Sequence, residues 1–209
     1  MPKRPTAVSP LMQGVARLLF RITGWVAEGG VLEPRRFVII AAPHTSNWDA
    51  VILVTAAYIF GIRISWFIKD SAFVGPLGWL IRAVGGIPIN RRLRQNVVAQ
   101  AVEEFRRREE FILAVPPEGT RRHSDGWRTG FYYIAREAGV PIVLGYIDYR
   151  RKVAGLGRAV VPSGDIDADF EIFRTFYEQV TAKFPENRGV VRPLRSGGGA
   201  AEPARAVGE

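Results

Sequence analysis

The chain contains no cysteine. Disulfides, a cysteine nucleophile and thiolate metal ligation are therefore excluded. It has two histidines, His44 and His123, so a multi-histidine zinc site is excluded as well. No apolar run reaches the roughly 18 residues that a membrane-spanning helix needs. The segment 7–27 carries Arg17 and Arg21 within its apolar stretch and lacks a small-residue cleavage site, so it does not read as a signal peptide. No serine sits in a Gly-x-Ser-x-Gly elbow, and Ser46 and Ser71 are left as weak nucleophile candidates. There is no internal repeat. Lysine is scarce: Lys3, Lys69, Lys152 and Lys183 are all there are among 29 basic residues.

What is present is a chain of 209 residues, 47% hydrophobic and 23% charged, which suits one folded domain with a real core. The net charge is +9, and arginine carries nearly all of it. Guanidinium groups favour bidentate contacts with phosphate, so nucleic acid, an anionic membrane surface and a phosphorylated substrate are the partners to weigh. Basic residues interleaved with exposed aromatics would argue for nucleic acid. Here they are scattered or follow strands, and the aromatics fall in apolar runs, so no nucleic-acid partner is expected.

The most informative stretch is 41–50, Ala-Ala-Pro-His-Thr-Ser-Asn-Trp-Asp-Ala. An apolar run leads into it and another leads out. On one continuous helix His44 and Asp49 would point about 140° apart. They meet if His44 sits on a strand-to-helix turn and Asp49 in the first helical turn, which Pro43, Thr45, Ser46 and Asn47 suit. Asp49 would then hold one ring nitrogen and leave the other free to take a proton from a hydroxyl. A capped helix with a merely packed histidine fits the same residues.

Along the chain, Ser9 or Pro10 starts an amphipathic helix running to residue 27. Leu11, Val15, Leu18, Leu19, Ile22, Trp25 and Val26 make its apolar face, which can insert in a membrane interface or pack on the domain. Strands are expected at 37–42, 62–68, 87–90, 111–115 and 140–149, with a further one within 152–162. Helices are expected at 48–60, 76–84, 93–110, 128–138 and 167–184, and a disordered tail from 196. The alternation predicts a single α/β domain over 31–195, with a largely parallel central sheet flanked by helices and the N-terminal amphipathic helix within 1–30. Sites on such sheets lie at the carboxyl ends of the strands. His44, Lys69, Asn90-Arg91 and Glu118 to Arg121 each follow a predicted strand. Arg91 and Arg121, with Lys69, are candidate phosphate ligands. Gly119 would let the loop backbone approach a ligand. Glu118 can bridge to an arginine or bind a substrate hydroxyl. With no serine elbow, the nucleophile is expected to belong to the substrate.

Four stretches in order, His44-x4-Asp49, Lys69 to Arg91 with Gly-Gly-Ile-Pro-Ile-Asn-Arg, Pro117-Glu118-Gly119-Thr120-Arg121 and Val140-Pro141-Ile142-Val143, resemble the four blocks of the glycerolipid acyltransferases. The likeness is greatest to the 1-acylglycerol-3-phosphate (lysophosphatidic acid) acyltransferases and covers about 37–150. It departs at Pro43, where a polar residue is often found, and at Arg122, where serine is common. The resemblance implies an O-acyltransferase in phospholipid biosynthesis. His44 would be the general base and Asp49 its orienter, with direct attack by an acceptor hydroxyl on an acyl thioester. Lys69, Arg91, Glu118, Gly119, Thr120 and Arg121 would bind the acceptor. It implies acyl-CoA or acyl carrier protein as donor substrate, no cofactor, no metal, and a lysophospholipid acceptor, 1-acyl-sn-glycerol-3-phosphate by default. It also implies peripheral or monotopic attachment to the membrane surface, on the cytoplasmic face. Another lyso-lipid, amino-lipid or glycolipid acceptor, or hydrolysis of the acyl ester or thioester, are the alternatives.

Overall fold

A computed structural model describes residues 7–31, 33–89 and 96–195. Its central sheet has five strands in the order β1-β7-β6-β2-β5: β1 (Val26–Gly29), β2 (Arg36–Ala42), β5 (Phe111–Val115), β6 (Ile142–Asp148) and β7 (Val153–Val160). β2 pairs in parallel with both β5 and β6, β1 pairs in parallel with β7, and the β6–β7 pairing is antiparallel. β3 (Trp66–Lys69) and β4 (Gly86–Ile89) form a separate parallel pair, linked to β5 through a single bridge, Ser65 to Leu113. The helices are α1 (Pro10–Thr23), α2 (Asn47–Ile59), α3 (Gly75–Ala83), α4 (Asn96–Arg107), α5 (Gly130–Ala138) and α6 (Ile166–Tyr177). This is the α/β domain expected, with its largely parallel sheet and its N-terminal helix.

β2 is Arg-Phe-Val-Ile-Ile-Ala-Ala, apolar on both faces because helices cover both. Alternate residues divide between two cores. Val38 and Ile40 join an aromatic-rich cluster with Trp127, Phe131, Phe170 and Phe173 under α5 and α6. Phe37 and Ile39 join a smaller one with Phe20 of α1 and Leu53 of α2.

Four elements differ from expectation, the strand expected at 62–68 being confined to Trp66–Lys69. α1 stops at Thr23 instead of 27, because Gly24 adopts a left-handed conformation (φ 74°) and its N–H donates to the Phe20 carbonyl. The freed residues Val26–Gly29 become an edge strand of the central sheet, so the segment 1–30 contributes more than a surface helix. α6 ends at Tyr177 instead of 184, where the Arg188 guanidinium donates to the Tyr177 and Val180 carbonyls. The chain then turns back toward the start of α2. The expected tail from 196 lies outside the described residues.

Candidate active site

The carboxyl end of β2 delivers His44 and the head of α2 delivers Asp49, and helix capping brings them together. Ser46 is the N-cap of α2: its hydroxyl accepts from the Trp48 N–H at 3.2 Å. Asp49 closes the capping box, its Oδ2 accepting from the Thr45 and Ser46 N–H groups at 2.7 Å each. The same Oδ2 stands 3.4 Å from His44 Nδ1. Capped helix and histidine–aspartate pair are one structure, since the cap holds the carboxylate where the imidazole meets it.

Asp49 is buried, and burial opposes its charge. Hydrogen bonds from His44, from the Tyr149 hydroxyl and from the Ser46 and Thr45 N–H groups outweigh that and hold its carboxyl below the usual range. The Tyr149 bond is short, 2.6 Å from Oη to Asp49 Oδ1. Burial and the neighbouring Asp49 push the Tyr149 phenol up, so it stays a donor. Sequence reasoning passed over Tyr149, yet it directly follows β6, which is parallel to β2 and ends at the same edge. The strand-end rule that singled out His44 would have found it. From farther along, the Thr181 carbonyl accepts from the Tyr149 N–H, Thr45 Oγ1 accepts from the Phe184 N–H, and Lys183 Nζ lies 5.7 Å from the Trp48 ring centre.

Glu118 does not face the cleft. It is 3% exposed, and its Oε2 accepts from the His44 backbone N–H at 2.9 Å. Its Oε1 has no hydrogen-bond partner. Burial dominates here and pushes the carboxyl up to about 7. Neither sequence expectation for Glu118, a bridge to an arginine or a bond to substrate, describes this contact, which is with the backbone of the turn bearing His44.

His44 and Asp49 line a cleft of 1090 Å³ together with Gly119, Thr120 and Arg121. Leu53, Trp66, Phe67 and Ile89 make its apolar part. Arg121 is exposed and donates to Asn47 Oδ1 at the head of α2. Gly119 has φ 68°, which favours glycine, and a Cβ there would lie 2.5 Å from Arg128 Nε, so the arginine side chain would have to shift to admit one. Arg128 also lines the cleft, adding a cation that the motif did not include. Lys69 ends β3, exposed and apart from the cleft lining. Arg91 lies outside the described residues.

The family model for Acyltransferase matches residues 28–146, more than half of the chain. The protein therefore belongs to the acyltransferase family. Its fold is similar to that of a 1-acyl-sn-glycerophosphate (LPA) acyltransferase, PlsC, from Thermotoga maritima, with a TM-score of 0.55 and 21% identity over 81% of this chain and 74% of that one. No curated protein matches the sequence significantly. Tyr149 and the segment 181–184 lie beyond the matched residues.

Proposed function

We propose that this acyltransferase moves a fatty acyl group from an acyl thioester, acyl-CoA or acyl carrier protein, to the hydroxyl of a lysophospholipid, 1-acyl-sn-glycerol-3-phosphate by default, giving phosphatidic acid. The observation that carries the reading is the His44–Asp49 pair at the head of a cleft with an apolar body and cationic Arg121 and Arg128 at its side. With its Nδ1 proton toward Asp49, His44 keeps a lone pair on Nε2. That nitrogen takes the acceptor hydroxyl proton as the oxygen attacks the thioester carbonyl. The tetrahedral adduct collapses, the carbon–sulfur bond breaks, and the proton passes from His44 to the leaving thiolate. The products are an ester and a free thiol. Arg121 is assigned to the acceptor phosphate, which a guanidinium binds as a fork. Glu118 supports the His44 backbone, and Tyr149 holds Asp49 in register. No cofactor is needed for this chemistry.

The acceptor and its product are lipids, and α1 supplies a membrane contact. Leu11, Leu18 and Ile22 are 76%, 56% and 72% exposed, while Ala16 and Phe20 face the domain. An apolar stripe turned outward, flanked by Arg17 and Arg21, suits an interfacial helix. Among the described residues no helix is long and apolar enough to cross a membrane. Peripheral attachment at the cytoplasmic face is part of the proposal.

A thiol-release assay tests it, crossing acyl-CoA and acyl carrier protein donors with a panel of lyso-lipid acceptors and identifying products by mass spectrometry. Release is expected only with an acceptor, and His44→Ala should lower it about a thousandfold. Acceptor-independent release of free fatty acid would instead assign hydrolysis. Full acceptor-dependent activity in His44→Ala would overturn the mechanism.

A further inference from the structure

α3 is the element that the fold and the chemistry above leave unexplained. It is nine residues long and joins β3 to β4, and its only buried residue is Gly78. Val74 just before it and Leu77, Trp79 and Leu80 within it are 74%, 61%, 72% and 52% exposed. A helix that packs only on its own domain turns such residues inward. A contiguous outward set marks an interaction surface.

Charge identifies the partner. After Asp70 the next acidic residue is Glu103, and between them stand Arg82, Arg91, Arg92 and Arg94. The N-terminal segment has the same make-up: no acidic residue before Glu28, Arg17 and Arg21, and the exposed apolar stripe of α1. Apolar, cationic and free of acid is the composition that an anionic lipid surface selects, with leucines among acyl chains, an indole at the interface and arginines on phosphates.

The two segments are also attached to the same cleft. α1 packs on α2, whose Ala50, Leu53 and Val54 line it. α3 links β3 and β4, which line it through Trp66, Phe67 and Ile89. We infer that α3 is a second lipid-contact element, seated with α1 on an anionic bilayer so that the apolar part of the cleft is held at the membrane surface. Transfer of acyl chains between bilayer and cleft rests on the lipid-acceptor reading; the docking of α3 does not.

The absence of cysteine makes the test direct, because Leu80→Cys offers a unique labelling site. An environment-sensitive fluorophore there should shift to the blue on phosphatidylglycerol vesicles, while the same label at Thr175→Cys on α6 should not respond. A Leu77→Ser/Trp79→Ser variant should bind those vesicles about tenfold more weakly. It should keep parental turnover on short-chain substrates below their micelle concentration, since neither residue lines the cleft. Unchanged vesicle affinity, or an unresponsive label at position 80, would overturn the inference. So would a blue shift that grows with protein concentration without vesicles, which would assign the surface to a second copy of the chain. Loss of turnover on soluble substrates would also overturn it, by making α3 part of the catalytic scaffold. If the parent chain docks through α3 yet releases no thiol with any lyso-lipid, the acceptor reading falls and the docking stands.

Discussion

Asp49 at the head of α2 and Glu118 in the loop after β5 are both buried and both bonded to the turn that carries His44, yet their carboxyls shift in opposite directions. Asp49 receives two backbone N–H groups and a phenol and faces the imidazole, and its charged form is favoured. Glu118 receives the His44 N–H and a weaker contact from the Gly189 N–H, its Oε1 has no partner among the described residues, and burial outweighs those contacts, so its charged form is disfavoured. Burial alone therefore does not set the charge of a carboxyl; its balance against the donors aimed at the group does. In the proposed mechanism the difference is functional. A permanent anion beside Nδ1 fixes the tautomer of His44, whereas a carboxyl near neutrality can brace the backbone without placing a second charge beside the base.

The comparison breaks most severely if Asp49 loses its charge. Asp49→Asn keeps the shape of the cap but presents no anion to Nδ1. The expected result is a loss of about a thousandfold in kcat, or about 4 kcal/mol in the barrier, with KM little changed. Steady-state kinetics on acyl-thioester and lyso-lipid decides it, and a loss below tenfold would remove Asp49 from the mechanism.

Glu118→Gln probes the other member through stability. The folded chain holds the Glu118 proton up to about 7, whereas the unfolded chain releases it near the ordinary value of 4.5. Between those pH values the folded state binds more protons, so stability falls as pH rises. The contribution is fully present below 4.5 and lost as pH passes about 7, on the order of 3 kcal/mol in all. Urea unfolding at pH 4.5, 6 and 7.5 should show the parent losing about that much relative to Glu118→Gln. Parallel pH profiles for the two chains would mean that folding leaves the Glu118 carboxyl at its ordinary value.

The finest test is Tyr149→Phe, which removes one donor from Asp49 and moves it a step toward the condition of Glu118. That bond lowers the Asp49 carboxyl, so its loss raises it. The acid limb of the kcat profile should move to higher pH, with kcat down about tenfold at neutral pH and KM unchanged. A uniform loss at every pH would assign Tyr149 to packing alone.

Much of this arrangement could be read in the residues. Ser46, Asn47 and the apolar run after Asp49 announced the start of α2, and the strand before His44 was plain in Phe-Val-Ile-Ile. The outward side of α1 could not be read, because an amphipathic stripe has the same spacing whether it meets a core or a lipid. Glu118 was misplaced for a related reason. Its motif position located the loop after β5, while the direction of one side chain within that loop depends on the backbone opposite.

The sequence by itself determined the alternation of strands and helices after residue 36, the turn at 43–49 and the cap that sets Asp49 beside His44, because each rests on contacts within a few residues, whereas β1 was not legible in it. Only the tertiary structure decided what surrounds that pair. Tyr149 reaches Asp49 from 100 residues away and is itself held by Thr181, Phe184 reaches the neighbouring Thr45 from 139, and Glu118 reaches His44 from 74. Such contacts depend on parallel strands ending at one edge and on a C-terminal segment folding back over them. They follow from sheet register and the ending of α6, which no local pattern encodes.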